Sequence, residues 1–466
     1  MIDRVSVIGL GKLGASMAAA FASRGFSVVG VDVNQTAVDL VNQGRAPVQE
    51  TDLDQTISKF KDRIRATLSH EDAVLSSDVS FVIVPTPSDD RGAFSLQYAE
   101  WAFKEIGKAL AKKNSYHNVV LTSTVLPGST RQALLPILER ESGKRAGIGF
   151  GLCYSPEFIA LGSIIRDFLN PDFTLIGELD ERSGSELEEI YSRVITNGSR
   201  SARMSLENAE LAKISVNTFV TTKITFANML AEICEKLPGG DVDVVTNALG
   251  LDTRIGRKYL TGAIGYGGPC FPRDNVALSF IARELGVEAR LAETTDSMNR
   301  ALAANVAGRL ESSIRKGATV AVLGLSYKPY SHVTEESQGV FVATHLSKVG
   351  YRVVAFDPMS KDMSLDELRR NIVVVDSIGE SLSQAEAVLI TTPDPAFKNL
   401  TAADFANDWA EVVVMDFWRL LRAELESSPR IKYMAVGLSE NDNRNSRRLR
   451  SLWWGDDSES STKSAE

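Results

Sequence analysis

The chain of 466 residues contains three cysteines, Cys153, Cys234 and Cys270, and four histidines. Three thiols are too few for a disulfide framework, which excludes the small secreted scaffolds and points to a reducing compartment. No two cysteines form a C-x-x-C pair, and His70, His117, His332 and His345 show no ligand spacing, so no metal site is expected. There is no apolar run long enough to cross a bilayer. The first residues, Met1-Ile2-Asp3-Arg4-Val5, lack a basic flank leading into an apolar core. Basic excess is missing too: the net charge is −9, which argues against nucleic acid as a partner. A cytoplasmic protein with neither nucleic-acid nor membrane partners is expected. An anionic substrate would have to be met by individually placed Arg, Lys and backbone N–H groups.

What is present starts with Val5–Ile8, a short β-branched run of the kind that forms a buried parallel strand. Gly9-Leu10-Gly11-Lys12-Leu13-Gly14 follows, then a helical pattern over Ala15–Ser23 and a second strand over Ser27–Val31, closed by Asp32. This is a strand–helix–strand unit with a dinucleotide fingerprint. Gly9 permits the tight turn, Gly11 lets a pyrophosphate approach the backbone, and Gly14 lets helix and strand pack closely. Asp32 is placed to accept hydrogen bonds from the adenosine ribose hydroxyls. A carboxylate repels a 2′-phosphate and Val33-Asn34 brings no arginine, so NAD is expected rather than NADP.

Further strand ends lead to polar turns. Val79–Val84 runs into Pro85-Thr86-Pro87, Val119–Leu121 into Thr122-Ser123-Thr124, and Leu152-Cys153-Tyr154 into Ser155-Pro156-Glu157-Phe158. Ligands of open α/β sheets lie beyond the carboxyl ends of strands. Thr86, Ser123 and Thr124 are therefore either hydroxyls facing a nicotinamide and a substrate, or turn and cap residues. Glu157 is either a general base or water-positioner, or a solvated loop residue. Cys153 reads as packed. Thr174–Gly177 reads as one more strand, before an acidic helix over Asp180–Tyr191.

From Leu206 to Leu237 the pattern is continuous helix. Lys213 and Asn217, four residues apart, share one face. They are either a functional pair or a snorkelling lysine beside a surface asparagine. Cys234 reads as helix core. A second long helical stretch runs from about Leu291 to Ile314, through Met298-Asn299-Arg300, and offers a dimer surface. Between the two lies Gly262-Ala263-Ile264-Gly265-Tyr266-Gly267-Gly268-Pro269-Cys270-Phe271-Pro272-Arg273-Asp274, expected to be loop throughout because Gly and Pro interrupt helices and strands. A lone Cys is more often a small packing residue than a nucleophile; this loop is also built to present one thiol.

Ala318–Leu323 opens a second α/β unit with Gly324-Leu325-Ser326-Tyr327-Lys328-Pro329, a helix over Val340–Val349, and strands over Tyr351–Phe356, Val373–Asp376, Ala387–Thr391 and Val412–Asp416. It echoes the first, but only Gly324 of a glycine triad remains, so a nucleotide or nucleotide sugar is expected there instead of a second dinucleotide. The fold class is thus α/β: two Rossmann-like doubly wound domains joined by a central all-helical segment with a long helix. The expected division is 1–200 for NAD, 201–315 for dimerisation and catalysis, 316–435 for the nucleotide sugar, and 436–466 as a disordered polar tail interrupted by Trp453-Trp454.

With these pieces in order, the chain resembles the UDP-glucose/GDP-mannose dehydrogenase family over about residues 1–435. The matching motifs are the Gly9–Gly14 fingerprint, Val84-Pro85-Thr86-Pro87, Ser123-Thr124-Val125, Pro156-Glu157-Phe158 and Leu169-Asn170-Pro171-Asp172. Further on come the 210–228 helix, Arg254-Ile255-Gly256, Gly265-Tyr266-Gly267-Gly268 with Cys270-Phe271-Pro272, and Gly324-Leu325 with Tyr327-Lys328-Pro329. The resemblance implies a four-electron oxidation of a sugar C6 hydroxyl to a carboxylate by NAD, through a thiohemiacetal and a thioester on Cys270. It implies that Lys213 and Asn217 stabilise oxyanions, that Asp274 with Lys213 holds a water, and that Glu157 with Thr124 serves hydrolysis. It implies cofactor contacts from Gly9, Gly11, Lys12, Leu13, Gly14, Asp32, Pro85, Thr86, Ser123 and Thr124. Substrate contacts are implied for Glu157, Phe158, Ile159, Lys213, Asn217, Tyr259, Tyr266, Gly267, Phe271 and Lys328, and for Arg254 across a homodimer interface.

UDP-glucose is the first expectation and GDP-mannose or a UDP-N-acetylhexosamine the alternative. More distant alternatives are a two-electron hydroxyacid dehydrogenase and a nucleotide-sugar-binding protein without turnover. The chain also departs from the family pattern. Leu161 replaces an acidic residue, Pro269 a Ser and Arg273 a Lys. Glu335 stands where an Arg is usual, and Asp416-Phe417-Trp418 replaces Asp-Gly-Arg, with Arg419 one place late. The chemical core is retained and the nucleotide-sugar side is altered.

Overall fold

The computed structural model describes residues 2–439 and 443–454. The chain divides into two compact units, 1–216 with 276–288 and 217–275 with 289–466. Two of its three boundaries fall inside helices, Leu206–Lys236 and Phe271–Glu284. Among the described residues no helix is long and apolar enough to cross a membrane.

The first unit is built on eight strands: β1 (Arg4–Ile8), β2 (Ser27–Val31), β3 (Ile64–Thr67), β4 (Val79–Val82), β5 (Asn118–Leu121), β6 (Gly151–Tyr154), β7 (Thr174–Glu178) and β8 (Ser201–Ser205). Their order is β3-β2-β1-β4-β5-β6-β7-β8. The first six run parallel, and β4, β5 and β6 are buried along their whole length, as apolar runs covered on both faces must be. The sheet then reverses: β7 pairs antiparallel with β6, Cys153 opposite Glu178, and β8 follows β7 in parallel. The doubly wound pattern therefore covers six strands and not eight. Strands β3 and β8 are missing from the sequence reading because they are short, polar edge strands in which half-exposed residues break the apolar run. One face packs around Phe21, Phe81, Phe168 and Tyr191, the other around Phe103, Phe150 and Tyr154. Cys153 is fully buried, and burial pushes its thiol up to about 12, as suits a packing residue.

The second unit carries β9 (Thr319–Leu323), β10 (Arg352–Phe356), β11 (Val373–Val374), β12 (Ala387–Ile390), β13 (Val412–Asp416) and β14 (Ile431–Ala435), all parallel, in the order β11-β10-β9-β12-β13-β14. This repeats the order of the first six strands of the other sheet. The repeat extends to a glycine that the sequence reading missed. In the first unit a Cβ on Gly14 would lie 1.9 Å from Gly9 O; in the second, a Cβ on Gly339 would lie 2.1 Å from Gly324 O. Both are close approaches of a helix to the turn after the first strand. The expectation that only Gly324 survives is therefore corrected. The packing glycine is Gly339, in the Gln338–Lys348 helix, and the longer Leu325–Ser337 segment hides its spacing. Asp357, after β10 as Asp32 is after β2, has turned inward. It is buried, and its Oδ2 accepts from Leu325 N–H, Ser326 N–H and the Ser326 hydroxyl.

Two other expectations change. The Gly262–Asp274 stretch is not loop throughout: the Phe271–Glu284 helix begins just after Cys270. Pro272 is compatible with this because a first-turn residue has no intrahelical partner for an N–H. The expected disorder of 436–466 does not hold for Asn443–Trp454, which is a helix; residues 440–442 and 455–466 lie outside the described residues. Arginine and leucine favour helix, and Leu449, Leu452 and Trp453 recur on one side of it.

Candidate active site

The residues after β1 fit a dinucleotide. Gly11, which caps the Lys12–Ser23 helix, places no side chain over its first turn, and a Cβ there would meet nothing within 4 Å. The first-turn N–H groups thus open onto space, as an anion site at a helix N-terminus requires. Asp32 is fixed in place: Oδ2 accepts from Leu10 N–H (2.7 Å) and Oδ1 from Asn34 N–H (2.9 Å). Each oxygen keeps a further lone pair for a ribose hydroxyl. Val33 and Leu68, exposed where β2 and β3 end, add apolar surface for a flat base. Periodicity gave no sign of them, since both stand outside the strands.

Beyond β4 and β5 the hydroxyls are engaged by the loops themselves. Ser123 Oγ accepts from Val84 N–H (2.9 Å) and donates to Val84 O (2.6 Å), and Thr86 Oγ1 donates to Thr124 O (2.8 Å). These bonds lace together the two turns that carry Pro85 and Thr124. Beyond β6, Glu157 is partly accessible as a residue, but its carboxyl group is enclosed. Burial raises its pKa to about 7, against the opposing pull of Lys213 and a hydrogen bond from Tyr191 (3.4 Å). It is therefore not a solvated loop carboxylate. Tyr191 in turn pairs with Ser155 (2.8 Å). Lys213 is buried, donates to Glu157 O (2.6 Å), and lies 4.4 Å from the centre of the Phe158 ring. That is not a snorkelling surface lysine. Tyr191 escaped the sequence reading, although an aromatic at the end of an acidic helix is a place to look.

In the second unit Cys270 is exposed and immediately precedes the Phe271–Glu284 helix; its carbonyl accepts from Asp274 N–H (2.9 Å), closing the first turn. Asp274 is buried, and its Oδ2 accepts from Asn217 Nδ2 (2.6 Å). Asn217 lies one turn after Lys213 on the same helix. Gly268, at φ +82°, packs against Tyr327; a Cβ there would lie 2.6 Å from its ring. Lys328 Nζ stands 5.5 Å from the centre of that ring. The rings of Tyr259 and Phe271 meet edge to face at 6.1 Å. Burial lowers the pKa of Arg273, opposed by its acidic neighbours Asp274, Cys270 and Glu335. Two departures from the family pattern, Arg273 and Glu335, are thus opposite charges that act on each other electrostatically. The Arg419 side chain is buried and engaged elsewhere, in a bidentate pair with Asp243 (2.7 and 2.9 Å) and on Val436 O (2.7 Å). Arg254 is exposed and pairs with Asp252, two residues before it.

Comparison with known proteins agrees along most of the chain. The NAD binding domain of the UDP-glucose/GDP-mannose dehydrogenase family matches residues 3–195, the central domain of that family 207–301, and its UDP binding domain 321–423. A UDP-glucose 6-dehydrogenase of Haloferax volcanii is 34% identical over 90% of this chain and 97% of its own length. A GDP-mannose 6-dehydrogenase of Pseudomonas aeruginosa is 37% identical over 76% and 81%. Among solved structures, a UDP-glucose dehydrogenase from Pyrobaculum islandicum superposes with a TM-score of 0.84 at 33% identity, covering 94% of this chain and 98% of that one. Fold and relatives make this an NAD-dependent oxidoreductase acting on a nucleotide sugar. The chain belongs to the UDP-glucose/GDP-mannose dehydrogenase family.

Proposed function

We propose that the protein oxidises the C6 hydroxyl of a UDP-hexose, UDP-glucose first, to the carboxylate through a covalent intermediate on Cys270. One observation carries the reading: the exposed thiol immediately before a 14-residue helix. The positive end of that helix stabilises negative charge on a thiolate. NAD, when bound, accepts one hydride in each of two rounds. As the alcohol is oxidised, its proton passes to a water held by Asp274. The aldehyde carbon is then attacked by Cys270 S⁻, giving a thiohemiacetal whose oxyanion is met by Lys213 and by the second Nδ2 proton of Asn217. Loss of the second hydride leaves a thioester. Glu157 takes a proton from water as that water attacks, Thr124 orients the water, and the thiol leaves as the uronate forms.

Lys328 and Arg273 are our candidates for the nucleotide phosphates, Arg273 in place of the arginine that Glu335 replaces. Tyr259, Tyr266, Gly267, Phe271, Phe158 and Ile159 are proposed to shape the sugar site. UDP is favoured because the third segment matches a UDP binding domain and because the Haloferax and Pyrobaculum relatives are UDP-glucose enzymes. GDP-mannose is the second reading, supported by the Pseudomonas relative.

We propose a homodimer built on the Leu206–Lys236 helix rather than on the 291–314 stretch expected from the sequence, because Phe219, Phe226 and Ile233 are exposed on it at seven-residue intervals, the spacing of a helix-pairing stripe. In it Arg254 reaches the partner's substrate. The domain division at about residues 200, 315 and 435 and a cytoplasmic location, where NAD and reduced thiols are supplied, belong to the same reading. The test is NADH formed per sugar over a panel of UDP- and GDP-sugars. We expect two per UDP-glucose, and no uronate from Cys270→Ala. One per sugar, or an active Cys270→Ala, refutes the thioester route.

A further inference from the structure

Tyr266, in the turn that leads to Cys270, is held at both ends. Its backbone N–H donates to Asn299 Oδ1 (2.9 Å) and its carbonyl accepts from Asn299 Nδ2 (3.0 Å), so one side-chain amide satisfies both polar groups of the residue as a neighbouring strand would. The same carbonyl accepts from Gln338 Nε2 (2.9 Å). At the other end the phenol oxygen accepts from Asn275 Nδ2 (3.0 Å), which also donates to Thr221 (2.8 Å). Asn275 lies on the helix that starts after Cys270. Tyr266, Asn275, Asn299 and Gln338 are all buried. The fit admits no slack: a Cβ on Gly265 would lie 2.2 Å from Asn299 Oδ1. Two residues on, Gly268 N–H donates to Glu335 O (3.0 Å).

Resting on the reading of Cys270 as nucleophile, we propose that Asn299 is a positioning residue for that thiol. Through Tyr266 and Asn275 it fixes where the Phe271–Glu284 helix begins, and hence where the sulfur stands. Gln338 and the Gly268–Glu335 bond tie the same turn to the Leu325–Ser337 segment, which carries Lys328. A site for the nucleotide and the nucleophile are thereby held at a fixed separation by hydrogen bonds within one unit. The residue type follows from the task. An amide offers both a donor and an acceptor at this reach, whereas aspartate has no donor and alanine leaves the Tyr266 N–H buried and unpaired and its carbonyl held by Gln338 alone. Networks of this kind specify one geometry.

The step that depends most on sulfur position is capture of the aldehyde, so the expected lesion is specific. In full-length Asn299→Ala, kcat for UDP-glucose falls on the order of 10- to 100-fold, the scale of a displacement of about 1 Å. NADH per sugar drops from two toward one, with free aldehyde trapped by a hydrazine reagent, while KM for NAD stays within about twofold. A merely structural Asn299 would reduce the amount of folded enzyme and leave the stoichiometry at two; that result, or an unchanged kcat, overturns the proposal. If Asn299→Ala does not fold, Asn299→Asp decides, since it keeps the size of the side chain and the acceptor for Tyr266 N–H and removes only the donor to the Tyr266 carbonyl, which stays paired to Gln338. A stoichiometry below two supports the proposal, and two overturns it. The wild-type control separates the underlying reading: one NADH per sugar without any substitution refutes the thioester route and not the role of Asn299.

Discussion

A carboxyl group enclosed beside Lys213 and Tyr191 exchanges its proton near neutrality, and this gives Glu157 a measurable signature. Burial, the largest cause, raises its pKa to about 7. A general base works deprotonated, so thioester hydrolysis should plateau above pH 7 and fall about tenfold per unit below it. The hydrogen bond from Tyr191 favours the charged form, so Tyr191→Phe should move this limb to higher pH. A limb that stays put or moves down in a pH profile of single-turnover hydrolysis would contradict the assignment. Glu157→Gln should release a burst of about two NADH per site and then stall with the thioester in place, a species visible by mass spectrometry of the intact chain. At this scale the candidates were legible because Cys270, Lys213, Asn217, Asp274 and Glu157 belong to compact motifs. Their state was not. Nothing near Glu157 in the chain tells that Tyr191, 34 residues later, donates to it.

At the scale of elements, Gly14 and Gly339 do the same packing work in two sheets, and a pair of substitutions separates packing from cofactor binding. Gly14→Ala and Gly339→Ala should each cost about 1–3 kcal/mol, since a methyl group would have to displace a backbone carbonyl. Only Gly14→Ala should raise KM for NAD by more than tenfold. Equal effects of both on KM for NAD would mean that the second unit also handles the dinucleotide. Arg419 links β13 to the Val242–Leu251 helix through Asp243. Arg419→Ala should lower stability in urea by about 2–3 kcal/mol, the loss of charge-assisted hydrogen bonds from a buried donor. An unchanged denaturation midpoint would show that those bonds are replaced by water. Most strands and both long helices follow from periodicity. The start of the Phe271–Glu284 helix does not, because Gly and Pro crowd the residues before it while Pro272 falls in the one turn that tolerates it.

For the whole molecule, the proposed dimer makes two demands. Phe226→Asp places a charge in the exposed stripe of the Leu206–Lys236 helix and should yield a monomer by size-exclusion chromatography with light scattering; a dimer of unchanged mass would move the interface elsewhere. Arg254, exposed and tethered only to nearby Asp252 in the contacts described above, acts in the proposal on the other subunit. Mixed dimers of Cys270→Ala with Arg254→Ala should then regain activity that neither homodimer has, because one of the two sites in each mixed dimer is intact. Failure to regain activity, with mixed dimers verified, would place Arg254 in its own subunit's site.

The amino-acid sequence by itself determined the dinucleotide fingerprint, the preference for NAD, the alternation of strands and helices, and the family, because each rests on neighbours a few residues apart or on motifs in a fixed order. Tertiary structure alone decided the reversal at β7, the return of the packing glycine at Gly339, the burial of Glu157 and Lys213, and the Asn299 clamp on Tyr266. Each of these is a contact or a direction set by parts of the chain far apart in sequence. Local propensity carries no information about which distant carbonyl or amide will close a hydrogen bond, and only the packed fold chooses the partner.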